Sequence, residues 1–375
     1  MVFTWNGKEF EFITDVLAVA PLGAAAGDGV FFEVDHDEYV QISGDSLVPD
    51  TDGFYDIRIT EELREVTYLD QLKLVALDRP REISVYTSDK FKSPPYPEFR
   101  LYGVRDRIYP KQALGTNGID VLDRVVRLDR TYPDHFRRDY VGGAEEHTLE
   151  LDFGTASAGA PAILVLHGWV DWADGSTIRK ISQDQTAQFI MPYLQVRDAN
   201  GEWVTVVEDM GVPAGKPKTI VVDLTGKFLS ESREVRIVTN LCVYWDEIFL
   251  SEETGEPDLR LTDLTPESAE LRFRGFSTPV VHPERKQPEE FDYNRWIPAS
   301  MWNPTDGFYT RYGPVKELLE NGDDMFVIMG SGDELHLRFR ADRLPPVPEG
   351  YQRDFLLYVD GWAKDGDLNT AFSQL

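Results

Sequence analysis

One stretch decides the fold class of this sequence: Tyr193-Leu-Gln-Val-Arg-Asp-Ala-Asn-Gly-Glu-Trp-Val-Thr-Val-Val207. Apolar and polar residues alternate on both sides of Asn200-Gly201. Alternation with a period of two is typical of a half-buried strand, and an Asn-Gly turn between two such runs favours a β-hairpin. The stretch therefore predicts two antiparallel strands within a mainly β protein.

Strand-like runs continue on both sides of this hairpin. Residues 147–153, 162–166, 219–223 and 235–250 are rich in β-branched and aromatic residues. Together with the hairpin they make about seven strands in roughly 110 residues, which is the size of a two-sheet β-sandwich. We therefore predict a β-sandwich over residues 143–254.

The 375 residues are enough for two or three domains. Ser93-Pro-Pro-Tyr-Pro97 is a polyproline-like break, because each proline fixes φ and removes a hydrogen-bond donor. We predict five segments: a small N-terminal β domain (1–92), a connector (93–142), the β-sandwich (143–254), an irregular connector with a short helix at 313–321 (255–329), and a partial second β-sandwich (330–375).

The partial second sandwich is predicted from an internal duplication, because Gly143–Gln183 recurs loosely as Gly330–Gln374. The matching blocks are Leu149-Glu-Leu-Asp-Phe153 with Leu335-His-Leu-Arg-Phe339, Gly168-Trp169 with Gly361-Trp362, and Asp174-Gly175 with Asp365-Gly366. Three matches in the same order indicate two copies of one fold. The second copy stops at Leu375, so we expect a missing stretch of a longer protein or another segment that completes its sheet.

The composition excludes several classes of partner. Sixty-six acidic residues against 38 basic ones give a net charge of -28, which repels a phosphate backbone, and we expect no nucleic acid partner. No stretch reaches the ~18 apolar residues of a membrane span, and the first residues lack the pattern of a signal peptide. Cys242 is the only cysteine, so no intramolecular disulfide can form.

The duplicated Gly-Trp motif is the candidate ligand site. A large aromatic residue beside a carboxylate-bearing turn provides the aromatic and polar groups that a sugar ring needs. The favoured alternative is structural, with Trp169 in the sandwich core and Asp174-Gly175 as an ordinary turn. The ligand-binding candidates are His167, Trp169, Trp172, Asp174, Trp362 and Asp365.

Two acidic turns resemble parts of calcium loops, because carboxylates lie next to a glycine. Neither turn completes the spacing of an EF-hand, so solvent-exposed turns are the favoured interpretation and a single calcium ion is the alternative. The candidate ligands for that metal are Asp50, Asp52, Asp365 and Asp367.

Catalytic signatures are missing from the sequence. The six histidines show no paired spacing for zinc, and neither a nucleophile elbow nor a phosphate-binding glycine loop occurs. We therefore expect a non-catalytic binding or scaffolding module that recognises a glycan or a protein. The alternative is a carbohydrate-active enzyme with paired carboxylates near the Gly-Trp/Asp-Gly motif.

Four segments carry a resemblance to a known group of proteins: Phe3–Leu17, Ile59–Asp70, Tyr96–Leu101 and Leu166–Trp169. They resemble the C-terminal region of large uncharacterised bacterial proteins with FG-GAP and ASPIC/UnbV segments, or with tetratricopeptide repeats. The sandwich looks like a galactose-binding jelly roll. The resemblance implies an extracellular or periplasmic location and neighbouring domains, and it supplies no catalytic residues.

Overall fold

Strands of alternating residues account for most of the chain in the computed structural model, so the protein is mainly β. The structure describes residues 1–16, 25–27, 30–31, 37–92, 94–134, 136–157, 159–173, 175–184, 188–252, 257–283, 288–299 and 306–365.

The strands fall into three consecutive stretches of sequence. The first 81 residues contain β1 (Val2–Trp5), β2 (Phe10–Thr14), β3 (Ala25–Gly27), β4 (Val30–Phe31), β5 (Glu38–Ile42), β6 (Phe54–Thr60) and β7 (Glu65–Pro80). Residues 82–257 contain β8 (Ser84–Tyr86), β9 (Lys90–Phe91), β10 (Tyr102–Val104), β11 (Gln112–Gly115), β12 (Ile119–Asp120), β13 (Arg138–Tyr140), β14 (Gly143–Thr155), β15 (Ile163–Val170), β16 (Tyr193–Arg197), β17 (Trp203–Val207), β18 (Val212–Pro213), β19 (Lys218–Asp223), β20 (Ser232–Leu241) and β21 (Val243–Ser251). Residues 258–375 contain β22 (Arg260–Leu264), β23 (Ser268–Phe273), β24 (Phe276–Val281), β25 (Pro288–Ile297), β26 (Gly313–Pro314), β27 (Val327–Met329), β28 (Asp333–Arg340) and β29 (Tyr351–Asp365).

Helical structure is short in the described residues. It comprises α1 (Gly175–Gln183) and the 3-10 turns Thr116–Gly118, Leu122–Arg124, Lys316–Leu319 and Ala341–Arg343. The helix predicted at 313–321 corresponds to the 3-10 turn Lys316–Leu319. It stays short because Gly313-Pro314 forms β26 instead of a first helical turn.

The chain folds into two units. Unit 1 combines Met1–Arg81 with Asp258–Leu375, and unit 2 is the continuous segment Glu82–Pro257. In unit 2 the larger sheet has the order β12-β11-β14-β20-β16-β17 with β13 beside β14, and the smaller sheet has the order β19-β15-β21. In unit 1 the larger sheet has the order β2-β1-β6-β28-β23-β26, and the smaller has β22-β7-β29-β5 with β27 beside β7.

In each unit, apolar residues of the two sheets pack against one another and form the hydrophobic core. In unit 2, Leu149 and Leu151 of the larger sheet lie in one buried cluster with Leu164 and Leu166 of the smaller sheet. In the larger sheet the alternation places Leu149 and Leu151 inward and Glu150 outward, whereas Val165, between Leu164 and Leu166, is buried in a different apolar cluster. This packing confirms the predicted mainly β, sandwich-like fold.

The structure groups the residues differently from the predicted ranges. The predicted connector 93–142 supplies β11, β12 and β13 to the larger sheet of unit 2, and the predicted connector 255–329 supplies β22 to β27. The predicted N-terminal domain 1–92 contributes β1 to β7 to the unit that also contains the predicted partial sandwich 330–375. Strands as short as β11 and β12 contain too few residues to show the alternation of apolar and polar residues that predicts a strand. Pairing between strands that are distant in the chain also leaves no pattern in the local sequence.

The two units share one pattern of strand pairing. In unit 2, β14 lies between β11 and β20, and β15 lies between β19 and β21. In unit 1, β28 lies between β23 and β6, and β29 lies between β5 and β7. The remaining partners also correspond, since β16 pairs with β20 and β17 while β1 pairs with β6 and β2.

The corresponding strands occur in a different order along the chain. Along the chain, unit 2 has the strands β11, β14, β15, β16, β20 and β21 in that order. In unit 1 the counterparts of the first three are β23, β28 and β29, which lie in Asp258–Leu375. The counterparts of the last three are β1, β6 and β7, which lie in Met1–Arg81. Unit 1 is therefore a circularly permuted counterpart of unit 2. The predicted partial second sandwich (330–375) lacked several strands, and residues Met1–Arg81 of the same chain supply them.

A pair of buried aspartates shows the same correspondence at the level of single hydrogen bonds. Asp246 accepts a hydrogen bond from the backbone N–H of Arg130 at 3.0 Å, and Asp70 accepts one from the backbone N–H of Asp324 at 3.1 Å. Arg130 and Asp324 both adopt positive φ, 62° and 63°. Each aspartate lies where its strand bulges against the neighbouring strand of the smaller sheet, so it closes the same turn in each unit.

Candidate functional site

The Gly-Trp motif lies in the smaller sheet of each unit. The ring of Trp169 stacks on that of Tyr244 with centroids 4.8 Å apart and planes at 20°, and the ring of Trp362 stacks on that of Tyr68 at 5.2 Å and 12°. Trp169 is 0% exposed, whereas Trp362 is partly exposed. Trp169 therefore belongs to the interior of unit 2 and is closed to a ligand.

The glycine of the motif has a backbone reason. A Cβ atom on Gly168 would lie 2.4 Å from the carbonyl oxygen of Tyr244, and a Cβ atom on Gly361 would lie 2.4 Å from the carbonyl oxygen of Tyr68. Only glycine permits so close an approach at these bulges. The repeated Gly-Trp pair is thus explained by packing.

The other candidates near the first motif do not form one exposed shelf. The Trp172 ring is partly buried, with its centroid 5.0 Å from that of Phe91. His167 Nδ1 lies 3.1 Å from Thr219 Oγ1, and burial, reinforced by the charge of Arg130, lowers the pKa of His167 to about 4. His167 is therefore uncharged at neutral pH.

Several predicted residues cannot be placed in a site. Asp174 and Asp367 lie outside the described residues, as does the side chain of Asp365, whose backbone ends β29 opposite Glu65. The paired carboxylates of the enzyme alternative therefore stay a prediction.

The acidic turn at Asp50 is occupied by groups of the protein itself. The carboxylate of Asp50 accepts the backbone N–H groups of Asp52 and Phe54, both at 2.9 Å, and a hydrogen bond from Arg338 at 2.7 Å. Asp52 lies 3.5 Å from the same Arg338. Within the part of the chain that the structure describes, no three histidine, cysteine or acidic side chains gather as metal ligands.

The outer surface of the larger sheet of unit 2 carries the arrangement best suited to a ligand. Glu150, Arg236, Gln195 and Thr205 lie directly opposite one another on β14, β20, β16 and β17. With Trp203, which lies on β17 two residues before Thr205, they define what we call the polar face. All five side chains are partly exposed.

The hairpin β16–β17 positions half of the polar face. Its turn is held by Asp198, whose carboxylate accepts the backbone N–H groups of Asn200 at 2.8 Å and Glu202 at 2.9 Å, while Gly201 has φ 82°. The alternation on both strands then turns Gln195 outward next to Arg236.

The side chains of the polar face are already connected to one another. Arg236 Nε donates to Gln195 Oε1 at 2.7 Å, and Gln195 Nε2 donates to Thr205 Oγ1 at 3.1 Å. The guanidinium of Arg236 also lies 3.7 Å from the carboxylate of Glu150 and 4.7 Å from the centroid of the Trp203 ring. These contacts hold planar polar groups in fixed positions at the solvent boundary.

A second arginine completes the surroundings of Trp203. Arg197 lies 3.8 Å from the centroid of the indole ring and 3.7 Å from the carboxylate of Glu234. Each guanidinium in this region therefore has an acidic partner, and the opposite charges are balanced across the polar face.

Unit 1 has the same face, but its own hairpin β24–β25 covers part of it. The register places Phe3 at the position of Gln195 and Phe10 at that of Trp203. Tyr293 of β25 packs against both phenylalanines, with centroids 5.1 and 4.7 Å apart. At these two positions unit 1 therefore carries apolar rings that pack against Tyr293, whereas Gln195 and Trp203 of unit 2 are partly exposed.

The arginine of the polar face occurs in both units. Arg58 corresponds to Arg236 and lies 4.9 Å from the centroid of Phe10, nearly the distance from Arg236 to Trp203. The sequence could have indicated the polar face, since the alternation in 193–207 separates outward from inward positions. It could not indicate that β14 and β20 continue the row, because the order of strands is set by pairing between distant segments.

Comparison with known proteins leaves the chain without an assigned family. No protein-family model matches it, and a search of the curated proteins finds no match. None of the described helices is long and apolar enough to cross a membrane. The resemblance to FG-GAP-associated and tetratricopeptide proteins therefore stays a prediction.

Proposed function

We propose that this chain is a non-catalytic glycan-binding module, and that the glycan lies on the polar face of unit 2. The observation that carries the proposal is the row formed by Glu150, Arg236, Gln195 and Thr205 beside the ring of Trp203.

The chemistry of the polar face suits sugars. Carboxylate, guanidinium, amide and hydroxyl groups provide both donors and acceptors, which match the hydroxyl groups of a glycan. The partly exposed indole of Trp203 adds apolar surface and an N–H donor beside these groups. Because these groups hold one another in place, little side-chain freedom is lost on binding.

The contrast between the units supports the same proposal. In unit 1 the positions of Gln195 and Thr205 are taken by Phe3 and Phe12, which pack against Tyr293 and Phe291 of β25. Unit 2 carries Gln195 and Thr205 at the corresponding positions and leaves them partly exposed. A face that keeps a matched set of polar groups toward solvent is suited to an external polar ligand.

The setting of the module follows from the sequence resemblance. We place it, as part of the proposal, in a larger bacterial protein of the periplasm or cell exterior, where polysaccharides are accessible. Its net charge of -28 would keep such a module soluble.

A glycan array with the full chain tests the proposal, followed by titration calorimetry of any ligand found. We expect binding that Arg236→Ala and Trp203→Ala each weaken at least about tenfold, with circular dichroism unchanged. The matched control is Trp296→Ala, because Trp296 is an exposed tryptophan of unit 1 and should leave binding intact. A chain that binds no glycan, or whose binding both polar-face variants preserve, would contradict the proposal.

A second candidate function is protein binding by unit 1. Phe273, Trp296 and Tyr312 are 52, 56 and 52% exposed, near the ends of β23 and β25 and next to β26. Exposed aromatic residues are enriched at protein interfaces. A protein partner lost by Trp296→Ala and kept by Arg236→Ala would favour this function over glycan recognition.

A further inference from the structure

The polar face also defines the length of its ligand. The four side chains of the row lie on four adjacent strands, so the row crosses three strand spacings. At ~4.8 Å per spacing it extends about 14 Å perpendicular to the strands, the length of roughly three hexose rings in an extended chain. A ligand that used the whole row would lie across the strands.

The two ends of the row differ. β17 is the last strand in the order of the larger sheet, so no further strand of the described residues continues the row beyond Thr205. At the other end the sheet continues to β11, where the apolar side chain of Leu114 lies opposite Glu150. The row of polar side chains therefore ends at Glu150.

The charges on the polar face indicate the charge of the ligand. Arg236 is paired with Glu150 and bonded to Gln195, and Arg197 is paired with Glu234. An anionic sugar would have to displace a carboxylate from one of these guanidinium groups, and a cationic sugar would have to displace a guanidinium from a carboxylate. A neutral sugar can add hydrogen bonds and leave both pairs intact.

We propose that the polar face binds a neutral, linear oligosaccharide of about three rings that lies across β14, β20, β16 and β17. This inference rests on the proposed glycan-binding function and specifies its ligand class. Each ring of the ligand lies over one spacing of the row, with one end over Glu150 and the other toward β17.

The test is a calorimetric titration of the full chain with neutral cello-, xylo- and manno-oligosaccharides of two to six rings, and with oligogalacturonates of the same lengths. For at least one neutral series we expect about tenfold tighter binding of three rings than of two, and little further gain from four to six. The uronate series should bind more weakly at every length.

The variant Thr205→Ala tests the orientation of the ligand. Because it removes the end of the row at β17, it should reduce the advantage of three rings over two and leave the affinity for two rings within about twofold. The matched control is Thr51→Ala, because Thr51 is exposed in a turn of unit 1.

The outcomes separate the two proposals. Affinity that does not depend on length, or stronger binding of uronates, would overturn the inference on the ligand while the glycan-binding function stands, provided that Arg236→Ala still weakens binding at least about tenfold. Failure of all glycans to bind would overturn both.

Discussion

Trp169 stacks on Tyr244 in unit 2 as Trp362 stacks on Tyr68 in unit 1, and each tryptophan follows a glycine whose missing Cβ admits the backbone of its neighbour. The motif that stands out most in the sequence is therefore an element of the fold. The polar groups best placed for a ligand lie on the other sheet.

The first prediction concerns the glycines of the two bulges. A methyl group on Gly168 or Gly361 would meet a carbonyl oxygen at 2.4 Å, so alanine should lower the free energy of unfolding by about 1–3 kcal/mol in either unit. Urea denaturation measures the effect. Gly159→Ala is the control, since nothing lies within 4 Å of its Cβ position. Equal stability of all three variants would remove the packing explanation.

Removal of the buried indole ring should have a larger effect. Because Trp169 is 0% exposed, Trp169→Ala should cost unit 2 about 3–5 kcal/mol of unfolding free energy. Trp362→Ala should cost less, since its ring is partly exposed. Thermal and urea unfolding of the two variants provide the comparison, and a Trp169→Ala protein that unfolds like the parent would be inconsistent with the buried position.

The buried carboxylate of Glu334 should be essential to unit 1. Glu334 is 0% exposed and lies 2.6 Å from Arg272 and 3.2 Å from Arg58. Burial alone would raise the pKa of Glu334, but the hydrogen bond from Tyr293 and these arginines outweigh it and lower the pKa. Its contribution to stability is present above the unfolded-state pKa and is lost as the pH falls through the folded-state pKa.

We expect Glu334→Gln to reduce the free energy of unfolding by about 3–5 kcal/mol at pH 7, because it removes the buried carboxylate that the largely buried Arg58 and Arg274 share. Glu267→Gln is the control, since Glu267 pairs with Arg343 at the exposed surface and should change stability by at most about 1 kcal/mol. Chemical denaturation at pH 7 compares the two variants. Equal losses of stability for Glu334→Gln and Glu267→Gln would contradict a buried ion-pair network around Glu334.

Asp171 should make the stability of unit 2 depend on pH. Burial raises the pKa of Asp171 to about 6, although Lys216 and Arg138 oppose the shift. A carboxyl group whose pKa is raised by folding stabilises the native state below its unfolded-state pKa, and this contribution is lost as the pH rises toward 6.

Asp171→Asn should therefore gain stability relative to the parent between pH 4 and pH 7, by up to about 3 kcal/mol. Chemical denaturation at a series of pH values checks the sign and the range. A stability difference between Asp171→Asn and the parent that stays constant over this pH range would contradict the prediction.

The sequence predicted local structure well and long-range structure poorly. The runs on either side of Asn200-Gly201 are β16 and β17 within one residue, because the hairpin is set by alternation and turn chemistry alone. The pairing of β6 with β28 joins residues more than 270 positions apart, and nothing in either segment indicates its partner. The polar face depends on such pairings, since β14 and β20 also lie far apart in the sequence.

The permuted order of unit 1 has a consequence for synthesis on the ribosome. Translation completes all the strands of unit 2 before it reaches β22, so unit 2 can fold while unit 1 still lacks half of its strands. Synthesis of the segment Asp258–Leu375 takes about 6–24 seconds, and during that time β7 lacks β29, its longest partner. The strands of unit 1 that precede unit 2 in the chain are thus among the last to be ordered, and the apolar strand β7 stays without its main partner until then.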